Sequence, residues 1–583
     1  MATKEKIEVI KKTQGNIIKP NLNDYDEQYK FASWEKAGES LGLNGDYLNI
    51  ADWVLAKHKG TKIWNKSALI VDSGEQDVST YSYKGLYRLS NKWASALQKM
   101  GIKKGDKVFI FMPKCAEVYV SFLGILKCGA VAGTMFAAFG EDAIKQRLGD
   151  SEAKAVITSP ELKDRIDNVA KDLPNLKTII VADKKAHDTN KCDKEVCYYC
   201  LIDEGSDAFE VVKTKAEDPA FILYTSGTTG KSKGVIHAHR AVIQQYFTSK
   251  WVLDLKEDDT YWCTADHGWV TGISYGIIGP LACGVRQVIY SGRFDPQMWY
   301  TMIDKYKVTV FYTAPTAVRM LMKSGENIAK KFGFNSLRHL CSVGEPLNPE
   351  AIRWGLKVFG LAFHDTWWQT ETGAMLICNY PSMDIKLGSM GKPVPGVEAT
   401  IIDDKGNELG EGAHGNLAVK PGWPSMMKEI YKNPEKYKEY FVNGWYTTGD
   451  KAYKDRDGYY WFIGRADDVI NTSGERVGPF EVESALVEHP AIAEAGVIGK
   501  PDALRGEIIK AFVTLRAGNE WSDDLYEDLK ALVKKRLAGH AYPREIDVVD
   551  SLPKTSSGKI MRRVLKAREL GLDEGDTSTL EED

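Results

Sequence analysis

No uninterrupted apolar run in this chain reaches the roughly 18 residues that a membrane-crossing helix needs, so no membrane partner is expected. The opening residues Met1-Ala2-Thr3-Lys4-Glu5-Lys6 are charged and carry no apolar signal core, which makes the cytoplasm the expected location. Excess charge is missing too. Lys and Arg number 77 against 80 Asp and Glu, a formal net charge of −3, and this leaves no electrostatic footprint for nucleic acid. Cysteine is scarce: nine in 583 residues, an odd count, exclude a disulfide framework and point to reduced thiols. Cys192, Cys197 and Cys200 cluster, but no fourth ligand lies at zinc-site spacing, and the stretch reads as an irregular surface insertion. Repeats at solenoid periods are also absent.

What is present is the texture of a large α/β enzyme. The length exceeds what one core supports, and several domains or subdomains are expected. From about residue 70, strand-like runs such as Val108-Phe109-Ile110-Phe111-Met112, Ala155-Val156-Ile157-Thr158 and Thr178-Ile179-Ile180-Val181 alternate with helical stretches. Between about 385 and 465 the pattern changes to short strands and turns, marked by Asp403-Asp404-Lys405-Gly406-Asn407 and Asp455-Arg456-Asp457-Gly458. The last 115 or so residues return to a mixed pattern, enough for a separate α+β domain. The expected division is therefore 1–465, including a β-rich subdomain at 385–465, then 467–583, with an acidic tail after Gly571 that frays.

One loop carries chemistry on its face. Phe221-Ile222-Leu223-Tyr224 reads as a strand, and Thr225-Ser226-Gly227-Thr228-Thr229-Gly230-Lys231-Ser232-Lys233 follows it. Glycines admit an anion close to the backbone, where N–H groups and hydroxyls supply donors for a triphosphate. The common nucleotide P-loop is excluded, because Thr225 stands where that motif requires its first glycine.

Five further segments occur in order: Gly344-Glu345-Pro346, Asp365-Thr366-Trp367-Trp368-Gln369-Thr370-Glu371-Thr372-Gly373, Tyr446-Thr447-Thr448-Gly449-Asp450, Gly464-Arg465-Ala466-Asp467-Asp468 and Pro553-Lys554-Thr555-Ser556-Ser557-Gly558-Lys559. With the loop, they make the chain resemble the adenylate-forming superfamily from about residue 28 to 570, and within it the AMP-forming acetyl-coenzyme A synthetases. The resemblance implies an acetate–CoA ligase with Mg²⁺, ATP and coenzyme A, working through an enzyme-bound acetyl adenylate. The same site could run in reverse to make ATP. A medium-chain or other short-chain ligase of the superfamily is the alternative within it. A phosphate-loop NTPase or a non-catalytic nucleotide-binding module are the alternatives outside it.

Residue roles follow from the resemblance. Lys559 and Glu371 are the implied catalytic pair, Lys559 neutralising the two anions that meet and Glu371 holding Mg²⁺. The nucleotide falls to Thr225, Ser226, Gly227, Thr228, Thr229, Gly230, Gly344, Glu345, Pro346, Asp365, Thr366, Trp367, Trp368, Gln369, Thr370, Asp450, Arg465 and Arg476. Asp450 is assigned the ribose hydroxyls and Gly344-Glu345-Pro346 the adenine. Val270, Thr271, Val343 and Trp368 form the implied acyl pocket. Relatives acting on longer acids have glycine at the last place. Thr271, Ser473 and Gly474 are assigned to coenzyme A, and Lys163 and Arg165 lie roughly where its 3′-phosphate is met. Asp467 is the implied hinge, and the backbone oxygens of Val487, His489 and Ile492 a structural cation site. A protein acetyltransferase and deacetylase acting on Lys559 are implied partners. Three features depart from the family: Ser232 replaces a proline, His267 brings an imidazole beside the acyl pocket, where a pH-dependent effect is the less favoured reading, and the chain has less N-terminal length.

Overall fold

The computed structural model describes residues 8–12, 18–43, 45–74, 77–184, 194–225, 232–472, 475–502, 504–537, 541–555, 559–575, 577 and 580, with residues 475 and 476 by backbone alone. Runs such as Val108-Phe109-Ile110-Phe111 are apolar on both faces, which suits strands covered by helices on both sides. Lys107–Phe111 is accordingly a central strand of an eight-stranded sheet, ordered Glu429–Ile430, Lys233–Ala238, Pro219–Thr225, Val131–Met135, Lys107–Phe111, Ala155–Thr158, Thr178–Val181, Glu195–Cys197. The strands from Pro219–Thr225 to Glu195–Cys197 run parallel. From residue 194 on, the cysteine-rich stretch is regular structure and not the irregular insertion expected. Cys197 ends the edge strand and caps the helix Tyr198–Glu204, whose Tyr198 is buried beside Trp93 with ring centroids 4.3 Å apart.

A second, nine-stranded sheet has the parallel core Phe363–Trp367, His339–Val343, Val310–Thr313, Thr260–Cys263, Arg286–Tyr290, Ser67–Asp72. Crossover helices such as Pro296–Tyr306 and Pro349–Phe359 begin with a proline in the first turn, where its missing N–H costs nothing. Between 399 and 465 the expected β-rich subdomain is a five-stranded antiparallel sheet containing Ala399–Ile402, Gly415–Val419, Trp445–Lys454 and Tyr460–Arg465.

Sheet membership changes over four residues. Tyr460–Arg465 pairs with Trp445–Lys454, whereas Ile470–Thr472 pairs with Glu475–Val477 and with Gly506–Leu515 of a separate sheet. That last sheet is built on the long hairpin Ile492–Asp502 and Gly506–Leu515, covered by helices Pro479–Val487, Asp523–Arg536 and Arg562–Leu570. The molecule therefore has a large N-terminal and a smaller C-terminal domain. Among the described residues no helix is long and apolar enough to cross a membrane.

Candidate functional site

In α/β sheets ligands bind outside the carboxyl ends of the parallel strands. Three motif segments start at such ends: Thr225 closes Pro219–Thr225, Gly344 follows His339–Val343, and Trp367 closes Phe363–Trp367. Gly344 has φ of +93°, a conformation open to glycine, and it turns the chain so that Glu345 and Pro346 line the cleft. Lys559, Ile560 and Arg562 of the C-terminal domain form the facing wall with Phe480 and Glu483.

Asp450 is buried. Its Oδ1 accepts from Arg465 Nη1 at 2.9 Å, and its Oδ2 accepts from Trp367 Nε1 at 3.0 Å and Gln369 Nε2 at 3.2 Å. Burial raises its pKa, and Arg465 and Trp367 partly offset that rise. The Lys559 side chain stays open to solvent at the cleft mouth, yet protein atoms crowd its ammonium. That desolvation lowers its pKa, Arg465 adds to the effect, and Asp450 opposes it. The fold thus brings Lys559 within electrostatic reach of a carboxylate more than a hundred residues away in sequence.

Glu371 has partners that sequence reasoning missed. Its Oε1 accepts from Lys233 Nζ at 3.0 Å and from the Tyr440 hydroxyl at 2.9 Å, and Lys233 also donates to Tyr440. Burial pushes the carboxyl up, but Lys233 and these donors outweigh it and hold it ionised. The Tyr440 ring stacks on Tyr446 at 5.6 Å and 3°, Tyr446 donates to Gln369 at 3.2 Å, and Gln369 reaches Asp450. One network therefore joins the two carboxylates. Lys233 lies in the loop already singled out by its sequence. Tyr440 sits in no motif and had no signal.

Asp365 is buried, and its Oδ1 has no partner. Burial lifts this carboxyl to about 8, against the N–H groups of Thr366 and Leu347. Thr366 Oγ1 donates to Ser342 O at 2.7 Å and shares a hydrogen bond with Tyr312, and His237 Nε2 lies 2.8 Å from the Thr370 carbonyl oxygen. Glu345 is held by Arg319 and Thr316, each at 2.6 Å. At the ends of the phosphate-loop segment, the hydroxyls of Thr225 and Ser232 find no partner among the described residues. Ser226, Gly227, Thr228, Thr229, Gly230, Ser473, Gly474, Cys192 and the Arg476 side chain lie outside them.

The four residues expected to line the acyl pocket are all buried: Val270, Thr271, Val343 and Trp368. Trp368 stands edge-on to Tyr275, centroids 5.0 Å apart at 84°, and its Nε1 donates to the Tyr312 hydroxyl at 3.4 Å. For His267 the pH-dependent reading falls. Burial, with Lys114 adding to it, drops its pKa to about 3, so the imidazole is neutral at physiological pH and offers no titration there. It packs edge-on against Tyr119 at 5.0 Å. Lys114 is another residue the sequence did not flag; its ammonium donates to Thr264 O at 2.6 Å.

Two other expectations meet resistance. Lys163 pairs with Asp167 and with Glu195 at 3.2 Å, and Arg165 Nη1 donates to Ala137 O and Phe139 O at 3.1 Å each, so both cations already have partners. At the expected structural cation site, Ile492 O accepts from Arg516 Nε at 2.9 Å and His489 O from Ile492 N at 3.0 Å. A guanidinium occupies an oxygen meant for the cation, while His489 behaves as a helix-end residue, its Nδ1 accepting from Ala491 N at 3.2 Å.

Comparisons with known proteins agree with this architecture. A profile of AMP-binding enzymes matches residues 57–431, and one of the AMP-binding enzyme C-terminal domain matches residues 481–559. The chain is 54% identical to the acetyl-coenzyme A synthetase of Bacillus subtilis (strain 168) over 96% of its own length and 98% of the relative's. It is 40% identical to the acetyl-coenzyme A synthetase of Methanothrix thermoacetophila, over 97% and 89%. Among solved structures, a Brucella canis acyl-CoA synthetase superposes with a TM-score of 0.74 at 35% identity, covering 94% of this chain and 99% of that one. An anthranilate CoA ligase in complex with anthranoyl-AMP superposes with a TM-score of 0.82 at 29% identity, covering 91% and 99%. With its motifs at the carboxyl ends of two parallel sheets and similarity along nearly its whole length, this chain belongs to the AMP-binding enzymes, among the acetyl-coenzyme A synthetases.

Proposed function

We propose that this chain is an AMP-forming acetate–CoA ligase that converts acetate, ATP and coenzyme A to acetyl-coenzyme A, AMP and diphosphate. The observation that carries this reading is the cleft in which Lys559 faces Glu345 and Pro346, within electrostatic reach of Asp450 and Arg465. In the first half-reaction an acetate oxygen attacks the α-phosphorus of ATP, and the bond to diphosphate breaks. Two anions meet in that step, and Lys559 supplies positive charge where they do. Asp450 takes the ribose hydroxyls, Glu345 and Pro346 bound the adenine, and Asp365 keeps a hydrogen-bonding position open. Glu371 fits Mg²⁺, being an ionised buried carboxylate whose counter-charge Lys233 can yield. When bound, the ion neutralises phosphate charge.

In the second half-reaction the coenzyme thiol attacks the acyl carbon, the C–O bond to phosphate breaks, and AMP leaves. We assign Asp467 as the hinge on which the C-terminal domain withdraws Lys559, consistent with the change of sheet membership between Arg465 and Ile470. Thr271, Ser473 and Gly474 then line the coenzyme path, and Arg476 meets phosphate. Cytoplasmic location belongs to this reading, as does control by acetylation of Lys559, which removes the charge the first step needs.

A longer acid is the second reading, and the buried Trp368 against Tyr275 speaks for acetate. The test is a nucleotide-product assay with Mg²⁺-ATP, coenzyme A and carboxylates from C2 to C8. AMP with acetate, falling steeply beyond propionate, is the expected result. AMP peaking at a longer acid overturns the substrate, and ADP overturns the mechanism.

A further inference from the structure

We infer that Gly478 is a positioning residue for the first half-reaction alone: its missing side chain lets the C-terminal domain seat on strand Tyr460–Arg465 and so sets Lys559 on the cleft wall facing Glu345 and Pro346. The inference rests on the two-step reading above.

Gly478 directly precedes helix Pro479–Val487 with φ of −75° and ψ of 124°. That is ordinary extended backbone, open to any residue, so local conformation does not call for glycine. The tertiary contact does. A Cβ at this position would lie 2.1 Å from the Ile463 carbonyl oxygen, 2.8 Å from Ile463 Cγ2 and 2.9 Å from Ile463 C. All three nearest atoms come from one residue of the other domain, and two of them are backbone that no rotamer can move. Ile463 is itself buried, and it sits at a register shift between Phe462 and Gly464, both of which pair with Trp445–Lys454, so its backbone is held from both sides.

The neighbouring residues extend the seam. A Cβ on Gly464 would meet Pro479 Cδ at 3.3 Å and Gly478 Cα at 4.0 Å, and the rings of Phe462 and Phe480 touch at 6.1 Å and 68°. Residues 462–464 thus face 478–480 with two backbones in near contact. A Cβ on Gly205 would also meet backbone, Lys92 O at 2.2 Å, but both of those residues belong to the N-terminal domain.

Relieving a 2.1 Å contact to an ordinary separation requires the domains to part by about 1 Å, and a misplacement of about that size at a reacting group costs on the order of 100-fold. In the two-step reading Lys559 withdraws for the second half-reaction, and on this proposal the seam opens with it and frees an added methyl from Ile463.

The experiment uses the full chain with Gly478→Ala and two assays. Acetate-dependent exchange of labelled diphosphate into ATP reads the first half-reaction, and conversion of supplied acetyl adenylate with coenzyme A reads the second. Exchange is expected to fall on the order of 100-fold while thioester formation stays within about threefold of the unsubstituted chain. Gly464→Ala, with its milder 3.3 Å contact, is expected to give a smaller loss confined to the same half-reaction. Equal loss of both half-reactions, full retention of exchange, or failure of both variants to fold overturns the proposal, because the seam then has no step-specific role. Absence of exchange in the unsubstituted chain overturns the two-step reading itself.

Discussion

At the level of single residues, Trp368 and Asp365 carry the sharpest expectations. The indole of Trp368 is fixed by Tyr275 and Tyr312, so it acts as a wall and leaves little room to adapt. Trp368→Gly should shift kcat/KM from acetate towards butyrate through octanoate. Each added methylene that fits gains about 1–3 kcal/mol, and a series from C2 to C8 reads the shift. No gain with any longer acid would refute the assignment. Asp365 is a buried carboxyl raised from 3.8 to about 8, so the folded protein holds its proton where the unfolded chain has lost it. Stability from this group is complete below about pH 4 and declines as pH rises towards 8. Asp365→Asn should therefore melt at a higher temperature than the parent at pH 8, with the advantage shrinking as pH falls to 5. A pH-independent difference would count against it. Both residues stood in a quoted motif, but their environments did not follow from it: Tyr275 and Tyr312 lie on distant elements.

Among the elements, the same limit appears in the network around Glu371. Lys233 opens the strand Lys233–Ala238, and Tyr440 lies just beyond the short helix Pro434–Lys438. A loop motif identified the first, and only the fold brought in the second, 69 residues from its partner in sequence. Tyr440→Phe removes one hydrogen bond to a charged group, worth about 1.5–3 kcal/mol, so the first half-reaction should slow by roughly 10- to 100-fold. Diphosphate exchange at graded Mg²⁺ measures this, and an unchanged profile would remove Tyr440 from the site. The hairpin Ile470–Thr472 with Glu475–Val477 carries the coenzyme assignment. Gly474→Leu is expected to spare diphosphate exchange and abolish thioester formation. Equal loss of both would return Gly474 to a turn-forming role. Helices and strands with clear periodicity were legible, as at Ala155–Thr158 and Thr178–Val181. The Cys197 segment was not, because three strand residues and a seven-residue helix are too short for a periodic signal.

For the whole molecule, one domain provides Asp450 and the other provides Lys559. Lys559→Ala should lower diphosphate exchange by at least on the order of 100-fold, since the charge acts only where the anions meet, and leave acetyl transfer from supplied adenylate nearly intact. Comparable loss in both assays would mean that Lys559 has a role throughout the cycle.

The sequence by itself determined the α/β class, the two-domain order, the rejection of a P-loop and the motif residues, because these depend on local periodicity and on short segments whose chemistry is local. Tertiary structure alone decided that His267 is neutral, that Lys163 and Arg165 already have partners, that Tyr440 holds Glu371, that Lys114 reaches the Thr264 carbonyl, and that Gly478 faces Ile463. Burial, charge pairing and steric approach are sums over atoms distant along the chain, and a linear pattern does not contain them.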